Sequence, residues 1–225
     1  MTIFAAILAG GSGSRMNSDL PKQFLLIKEK PVIVHTINQF DSHPLIDEII
    51  IVVPSEYEKL MNEIFQKYPV IKKIIITKGG STRQLSSYNA LMSCAGKDDD
   101  IILLHDAARP FVSHKIISDC IDASQQYGAC SVYIPAVDTI TEIKNDTVIS
   151  IPPRENLYYT QTPQAFQLGI IKSAHKKSND NESTDDVSLV LKSNKDVHKI
   201  EGDPKNIKIT SPFDMEIASL IIENL

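Results

Sequence analysis

Five short aliphatic runs, Ile3–Leu8, Glu48–Val53, Lys73–Thr77, Asp100–Leu104 and Ala129–Pro135, recur along the chain with the β-branched density of strands buried on both faces. Between them, Pro31–Phe40, Tyr57–Lys67, Ser81–Ala95 and Lys115–Tyr127 space their apolar residues as helices do. Parallel neighbours need a crossover, and the crossover helix covers one face of the sheet. The repeated alternation therefore predicts an α/β fold, a mostly parallel sheet with helices on both faces. Ligands of such sheets bind beyond the carboxyl ends of the strands, so the residues just after each run carry the functional reading.

The first run ends in Leu8-Ala9-Gly10-Gly11-Ser12-Gly13-Ser14-Arg15-Met16, followed by Asp19-Leu20-Pro21-Lys22-Gln23-Phe24. Glycines let backbone N–H groups face a concavity that holds an anion, and Arg15 and Lys22 add fixed positive charge. The combination suits a triphosphate; the plain alternative is a strand-to-helix turn with two surface cations. Two familiar glycine motifs do not fit. Met16 stands where the dinucleotide fingerprint needs its third glycine, and no Lys-Ser or Lys-Thr completes a P-loop.

Further candidates follow later runs. Gly79-Gly80 leads into Ser81-Thr82-Arg83-Gln84-Leu85-Ser86-Ser87, whose N–H groups and hydroxyls suit a base or ribose, although Ser81 or Thr82 would cap a helix in any protein. His105-Asp106-Ala107-Ala108-Arg109-Pro110 places a carboxylate where a divalent cation is held, or where Asp106 braces a turn by pairing with Arg109. Arg154 and a basic stretch expected as a strand, Lys205–Thr210, add cations, and Thr184-Asp185-Asp186 is either a helix cap or a ligand contact. No arrangement signals a covalent nucleophile. Cations around one carboxylate suit phosphoryl or nucleotidyl transfer, where positioning and charge stabilisation dominate.

Asp138–Ile143 and Thr147–Ile151 flank the turn-like Lys144-Asn145-Asp146 and read as a β-hairpin, either an arm on a second subunit or a hairpin folded back on its own domain. A net charge of −5 argues against nucleic acid as a partner. Cys94, Cys120 and Cys130 are widely spaced, as small buried residues of a reducing compartment are. Neither a membrane span nor a signal peptide is read, so a cytoplasmic location is expected.

Taken in order, Ala9-Gly10-Gly11-x-Gly13-x-Arg15-Met16, Pro21-Lys22-Gln23, Gly79-Gly80-x-x-Arg83, His105 to Pro110, Gln161-Thr162-Pro163-Gln164 and Asn206-Ile207-Lys208 resemble the cytidylyltransferases that make CDP-polyols from polyol phosphates. The resemblance spans nearly the whole chain. It implies a Rossmann-like sheet in a single nucleotidyltransferase domain over residues 1–225, with a β-arm at about 138–158. It also implies CTP as substrate, Mg²⁺ as cofactor, release of pyrophosphate and a homodimer formed through the arm. Carried over by position, Arg15, Lys22, Arg154 and Lys208 are the catalytic cations. Leu8, Ala9, Gly10, Gly11, Gly79, Gly80, Ser81, Arg83, Ser86 and Ser87 hold the nucleotide. Asp106 takes the metal, and Asp106, Arg109, Thr139, Arg154, Thr162, Thr184 and Lys208 face the acceptor. Two branches of the family differ in acceptor. Leu8–Gly11, Leu20–Phe24 and Ile151–Tyr158 resemble the D-ribitol 5-phosphate branch, whereas His105–Pro110 and Thr160–Phe166 look closer to the 2-C-methyl-D-erythritol 4-phosphate branch. The arm and nucleotide loop agree, so ribitol phosphate is the expected acceptor and methylerythritol phosphate the alternative.

Overall fold

The computed structural model describes residues 1–11, 20–178 and 183–223. In chain order its elements are β1 (Ile3–Leu8), β2 (Leu26–Ile27), β3 (Lys30–Pro31), α1 (Val32–Asp41), β4 (Glu48–Val53), α2 (Glu58–Lys67), β5 (Lys73–Lys78) and α3 (Arg83–Ser93). Then follow β6 (Ile101–Asp106), α4 (His114–Tyr127), β7 (Ala129–Pro135), β8 (Glu142–Lys144), β9 (Thr147–Ser150) and β10 (Tyr158–Gln167). The chain finishes with α5 (Leu168–Lys177), α6 (Asp186–Lys192), β11 (His198–Glu201) and α7 (Pro212–Glu223). Seven strands form one sheet in the order β11-β7-β10-β6-β1-β4-β5. Every neighbouring pair is parallel except the two that β10 makes.

Successive strand residues point to opposite faces, and here both faces are covered. Ile3, Ala5 and Ile7 join Ile49, Ile51 and Leu103 against Ile37, Phe40, Met61 and Ile117 of α1, α2 and α4. Phe4, Ala6 and Leu8 join Ile50, Val52 and Leu104 against Leu91, Ile171 and Val190 of α3, α5 and α6. All five expected strands form. The fourth runs to Asp106 rather than stopping at Leu104, which sets Asp106 at the carboxyl tip of β6, opposite Leu8 at the tip of β1. Cys94, Cys120 and Cys130 are buried and free.

Two parts of the sheet depart from expectation. The segment 205–210 is not a strand; Ile209 is buried and its N–H donates to the Ala108 carbonyl at 2.8 Å, while β11 forms the sheet edge a few residues earlier. The antiparallel β10 is inserted between β6 and β7, with a register shift between Gln161 and Gln164 around a cis Thr162–Pro163 bond. Proline has no N–H for the ladder, so a polar segment holding one reads poorly as a central strand.

β8 and β9 form a separate two-stranded sheet. Asn145 and Asp146 have φ of 49° and 58°, the paired left-handed conformation of a type I′ turn that suits the twist of a hairpin. Ile143, Val148 and Ile149 are exposed on it. A third apolar cluster, with Ile27, Val32, Ala108, Phe111, Ile209 and Ala218, ties α7 to the residues on either side of the sheet's carboxyl edge. Among the described residues no helix is long and apolar enough to cross a membrane.

Candidate active site

At the carboxyl edge of β1 and β6 lies a cleft of about 360 Å³. Its walls come from five pieces of chain: Leu8 to Gly11, Lys22 and Gln23, the start of α3 from Gly80 to Ser86, Asp106 to Ala108, and Lys208 with Thr210. Buried Gln23 shapes the first loop, donating from Nε2 to the carbonyls of Ala9 at 2.7 Å and Gly11 at 3.2 Å. That bracing keeps the loop open beside Lys22, which begins a short 3₁₀ turn.

The start of α3 is braced by its own side chains. Thr82 is its N-cap, accepting from Leu85 N–H at 3.1 Å. Ser86 Oγ accepts from Gly80 N–H at 3.0 Å and donates to the Thr82 carbonyl at 3.0 Å. Gly80 has no room for a side chain, because a Cβ would sit 2.9 Å from the Leu85 backbone carbon.

Asp106 is the electrostatic centre. Its Oδ2 lies 2.8 Å from Lys208 Nζ and 3.8 Å from Arg109 Nε. Burial alone would raise its pKa, but Lys208, Arg83 and Arg109 together hold the carboxyl well below the usual carboxylate range, so it stays ionised. Behind it, His105 is fully buried, and desolvation pushes its pKa down to about 4. The neutral ring must donate from Nε2 to the Arg109 carbonyl at 3.0 Å, since a carbonyl only accepts. Nδ1 is then the acceptor for Thr162 Oγ1 at 3.0 Å, and the Thr162 oxygen in turn accepts Asp106 N–H at 3.1 Å. This chain fixes the backbone at the tip of β6.

An anion cradle, cations around one ionised carboxylate and, among the described residues of the cleft, no nucleophile–base pair are the features of a site that transfers a nucleotidyl group. Comparison with known proteins agrees. The family model described as "IspD: 2-C-methyl-D-erythritol 4-phosphate cytidylyltransferase" matches residues 3–224. The chain belongs to this family. It is a cytidylyltransferase, an enzyme of the nucleotidyltransferase class. It is 43% identical over 223 residues to a 2-C-methyl-D-erythritol 4-phosphate cytidylyltransferase of Clostridium botulinum (strain Loch Maree / Type A3), covering 97% of this chain and 96% of that one. It is 42% identical to the enzyme of the same description from Syntrophus aciditrophicus, covering 98% and 96%. A solved structure, the 4-diphosphocytidyl-2C-methyl-D-erythritol synthase of Anaerococcus prevotii, superposes with a TM-score of 0.85 at 30% identity, covering 99% of this chain and 96% of that one.

Within this cytidylyltransferase site, Leu8, Ala9, Gly10, Gly11, Lys22, Gly80, Ser81, Arg83, Ser86, Asp106 and Lys208 are brought together at the cleft. Arg15 lies outside the described residues. Others fall elsewhere in the chain's own structure. Gly79 is not on the wall; its N–H is held by the Val53 carbonyl at 2.8 Å. Ser87 is buried and turned away, bonded to Asp186. Arg109 lies beneath the floor, donating to the Asn206 carbonyl at 2.8 Å and the Thr160 carbonyl at 3.2 Å, so its guanidinium braces the loop carrying Lys208. Thr162 has both its hydroxyl functions committed to His105 and Asp106. Thr139 and Arg154 sit on the exposed arm, where Arg154 donates to the Val137 carbonyl at 3.0 Å, and Thr184 is exposed beyond the cleft. Sequence reading placed Thr82 only within the Ser81–Ser87 segment and did not name Thr210 as a lining residue, nor the bracing role of Gln23. The one local signal for that role is a glutamine next to Lys22 just after the glycine loop.

Proposed function

We propose that this enzyme transfers the cytidylyl group of CTP to 2-C-methyl-D-erythritol 4-phosphate and releases pyrophosphate. The observation that carries the chemistry is the ionised Asp106 ringed by Lys208, Arg83 and Arg109 at the rim of the glycine loop. The acceptor rests on full-length identity to enzymes of that description. This moves the choice away from ribitol 5-phosphate.

In the proposed reaction an acceptor phosphate oxygen, already anionic, attacks the α-phosphorus of CTP, and the bond to pyrophosphate breaks with its electrons leaving on that group. Lys22, with Arg15 implied by the family resemblance, neutralises charge that builds on the nucleotide phosphates. Lys208 orients the attacking phosphate while keeping Asp106 ionised. The backbone N–H groups of the glycine loop and the start of α3 hold the nucleotide in line.

The residues fit a divalent cation. Both ion pairs of Asp106 engage Oδ2, and Oδ1 carries none among the described residues. A hard cation such as Mg²⁺ takes one or two carboxylates and fills its shell with phosphate oxygens and water, so Asp106 would hold it without further acidic ligands. When bound, the ion would supply charge neutralisation on the phosphates of CTP.

The exposed apolar arm supports a homodimer, in which Thr139 and Arg154 serve the cleft of the second copy rather than their own. The test is pyrophosphate release with CTP, UTP and ATP against both polyol phosphates. CTP with methylerythritol phosphate is expected to turn over at least an order of magnitude faster than any other pair. Equal or faster turnover of ribitol phosphate would overturn the acceptor, and preference for another nucleotide would overturn the CTP assignment.

A further inference from the structure

Asp186 begins α6 and is fully buried. It is not needed as a cap, because Asp185 takes that position and accepts from Ser188 N–H at 3.1 Å. The Asp186 side chain turns inward instead. Its Oδ2 accepts from Arg83 Nη1 at 2.6 Å, and Oδ1 accepts from Ser87 Oγ and from His175 Nε2 at 3.2 Å. Its own N–H donates to Gln164 Oε1 at 3.0 Å. Asp186 therefore gathers α3 and α5 through its carboxylate and β10 through its N–H.

Arg83 is the member of this group that reaches the cleft. It is influenced by three carboxylates: Asp186 behind it, Asp106 across the cleft and, to a lesser degree, Asp185. Burial opposes the Arg83 charge, and Asp186, Asp106 and Asp185 together more than offset that, whereas Asp186 stays ionised against its own burial chiefly through Arg83. A buried ion pair of this kind contributes little net stability over an apolar replacement, so its presence in the wall of a site points to placement rather than to folding energy.

Building on the proposed cytidylyl transfer, we propose that Asp186 is a positioning residue: it anchors the Arg83 guanidinium on the nucleotide wall, with Ser87 and His175 holding the carboxylate in the required orientation. Released from Asp186, Arg83 is free to turn toward Asp106, vacating its place beside Ser86 and competing with Lys208 for the same carboxylate. The consequence falls on the nucleotide side of the cleft.

The test is a double-mutant cycle of Asp186→Asn and Arg83→Met, read as KM for CTP, KM for the acceptor and kcat, with CTP Kd by calorimetry. Asp186→Asn is expected to raise KM and Kd for CTP about tenfold, the scale of one charged hydrogen bond, with the acceptor KM unchanged. In the Arg83→Met background the same substitution is expected to change neither. Ser87→Ala, which keeps the ion pair and removes one donor, is expected to raise KM for CTP severalfold, and that effect too should vanish without Arg83. A loss of equal size in both backgrounds, or a fall in kcat with unchanged CTP affinity, would overturn the positioning role. Wild-type enzyme that fails to bind CTP would instead overturn the reading of the cleft, so the two failures are distinct.

Discussion

Lowering the pH from about 7.5 to about 5 during urea unfolding isolates one group of the site, His105. Its ring ionises at 6.5 in an exposed chain and at about 4 when buried here, because the interior disfavours the imidazolium. Between those values the unfolded chain binds a proton that the folded protein does not. Stability is therefore fully present above pH 6.5 and is lost as the pH falls toward 4. The whole gap corresponds to about 3 kcal/mol, of which about 2 kcal/mol is gone by about pH 5. The carboxylates do not confuse this window. Asp100, Asp106, Asp186 and Asp214 are all held below their ordinary range, so their contributions fade only in stronger acid. His35 and His43 are also lowered by burial and act in the same direction, so the comparison is made with His105→Gln, which leaves both in place. Glutamine keeps a donor for the Arg109 carbonyl and cannot titrate. The wild type should lose about 2 kcal/mol more than the variant between the two pH values, read from the urea midpoint at constant m-value. Equal losses would refute the assignment. So would a histidine ring resonance of His105 that titrates near 6.5 instead of near 4.

Three shorter expectations concern the site and the arm. Lys208→Met should lower kcat/KM about 10²- to 10³-fold and also lower the melting temperature, because the buried Asp106 carboxylate loses its nearest cation, with the fold intact by circular dichroism; an unchanged rate would remove Lys208 from the mechanism. Gly80→Ala should cost about 1–3 kcal/mol of stability, because the new Cβ meets the Leu85 backbone, and CTP affinity should fall with it. A variant as stable as the parent in thermal melts would show that the loop yields. Ile149→Asp on the hairpin should leave the fold intact by circular dichroism but shift the sedimentation coefficient from dimer to monomer and lower turnover; monomeric parent enzyme with full activity would contradict the proposed sharing of the arm.

Much of the fold was legible locally. The runs Ile3–Leu8, Glu48–Val53 and Ala129–Pro135 form strands with those very bounds, since apolar β-branched density alone marks a strand covered on both faces. The Asn145-Asp146 turn was equally local, as both residues tolerate the left-handed backbone it requires. The glycine loop, Lys22, the start of α3 and Asp106 line one cleft, as their places at or after strand ends suggested, because strand tips in a parallel sheet converge. β10 escaped because a polar segment with Thr162-Pro163 becomes a central strand only when β6 and β7 are there to pair it on both sides.

The chemical type of a residue is carried by the chain itself, but what that residue touches is not. Arg109, Thr162 and Ser87 have the chemistry of ligand-binding residues, yet tertiary contacts spend their hydrogen bonds on Asn206, His105 and Asp186. Asp185-Asp186 read as a cap or a ligand contact; packing of α6 against α5, with Arg83 and Ser87 of α3 bonded to Asp186, gave the cap to the first and buried the second. By itself the sequence determined the layered sheet, its ligand edge and a carboxylate at a strand tip, all of which depend on neighbours a few residues apart. Which donor meets which acceptor depends on groups brought together from about 20 to 100 positions away, and only the folded sheet sets those distances.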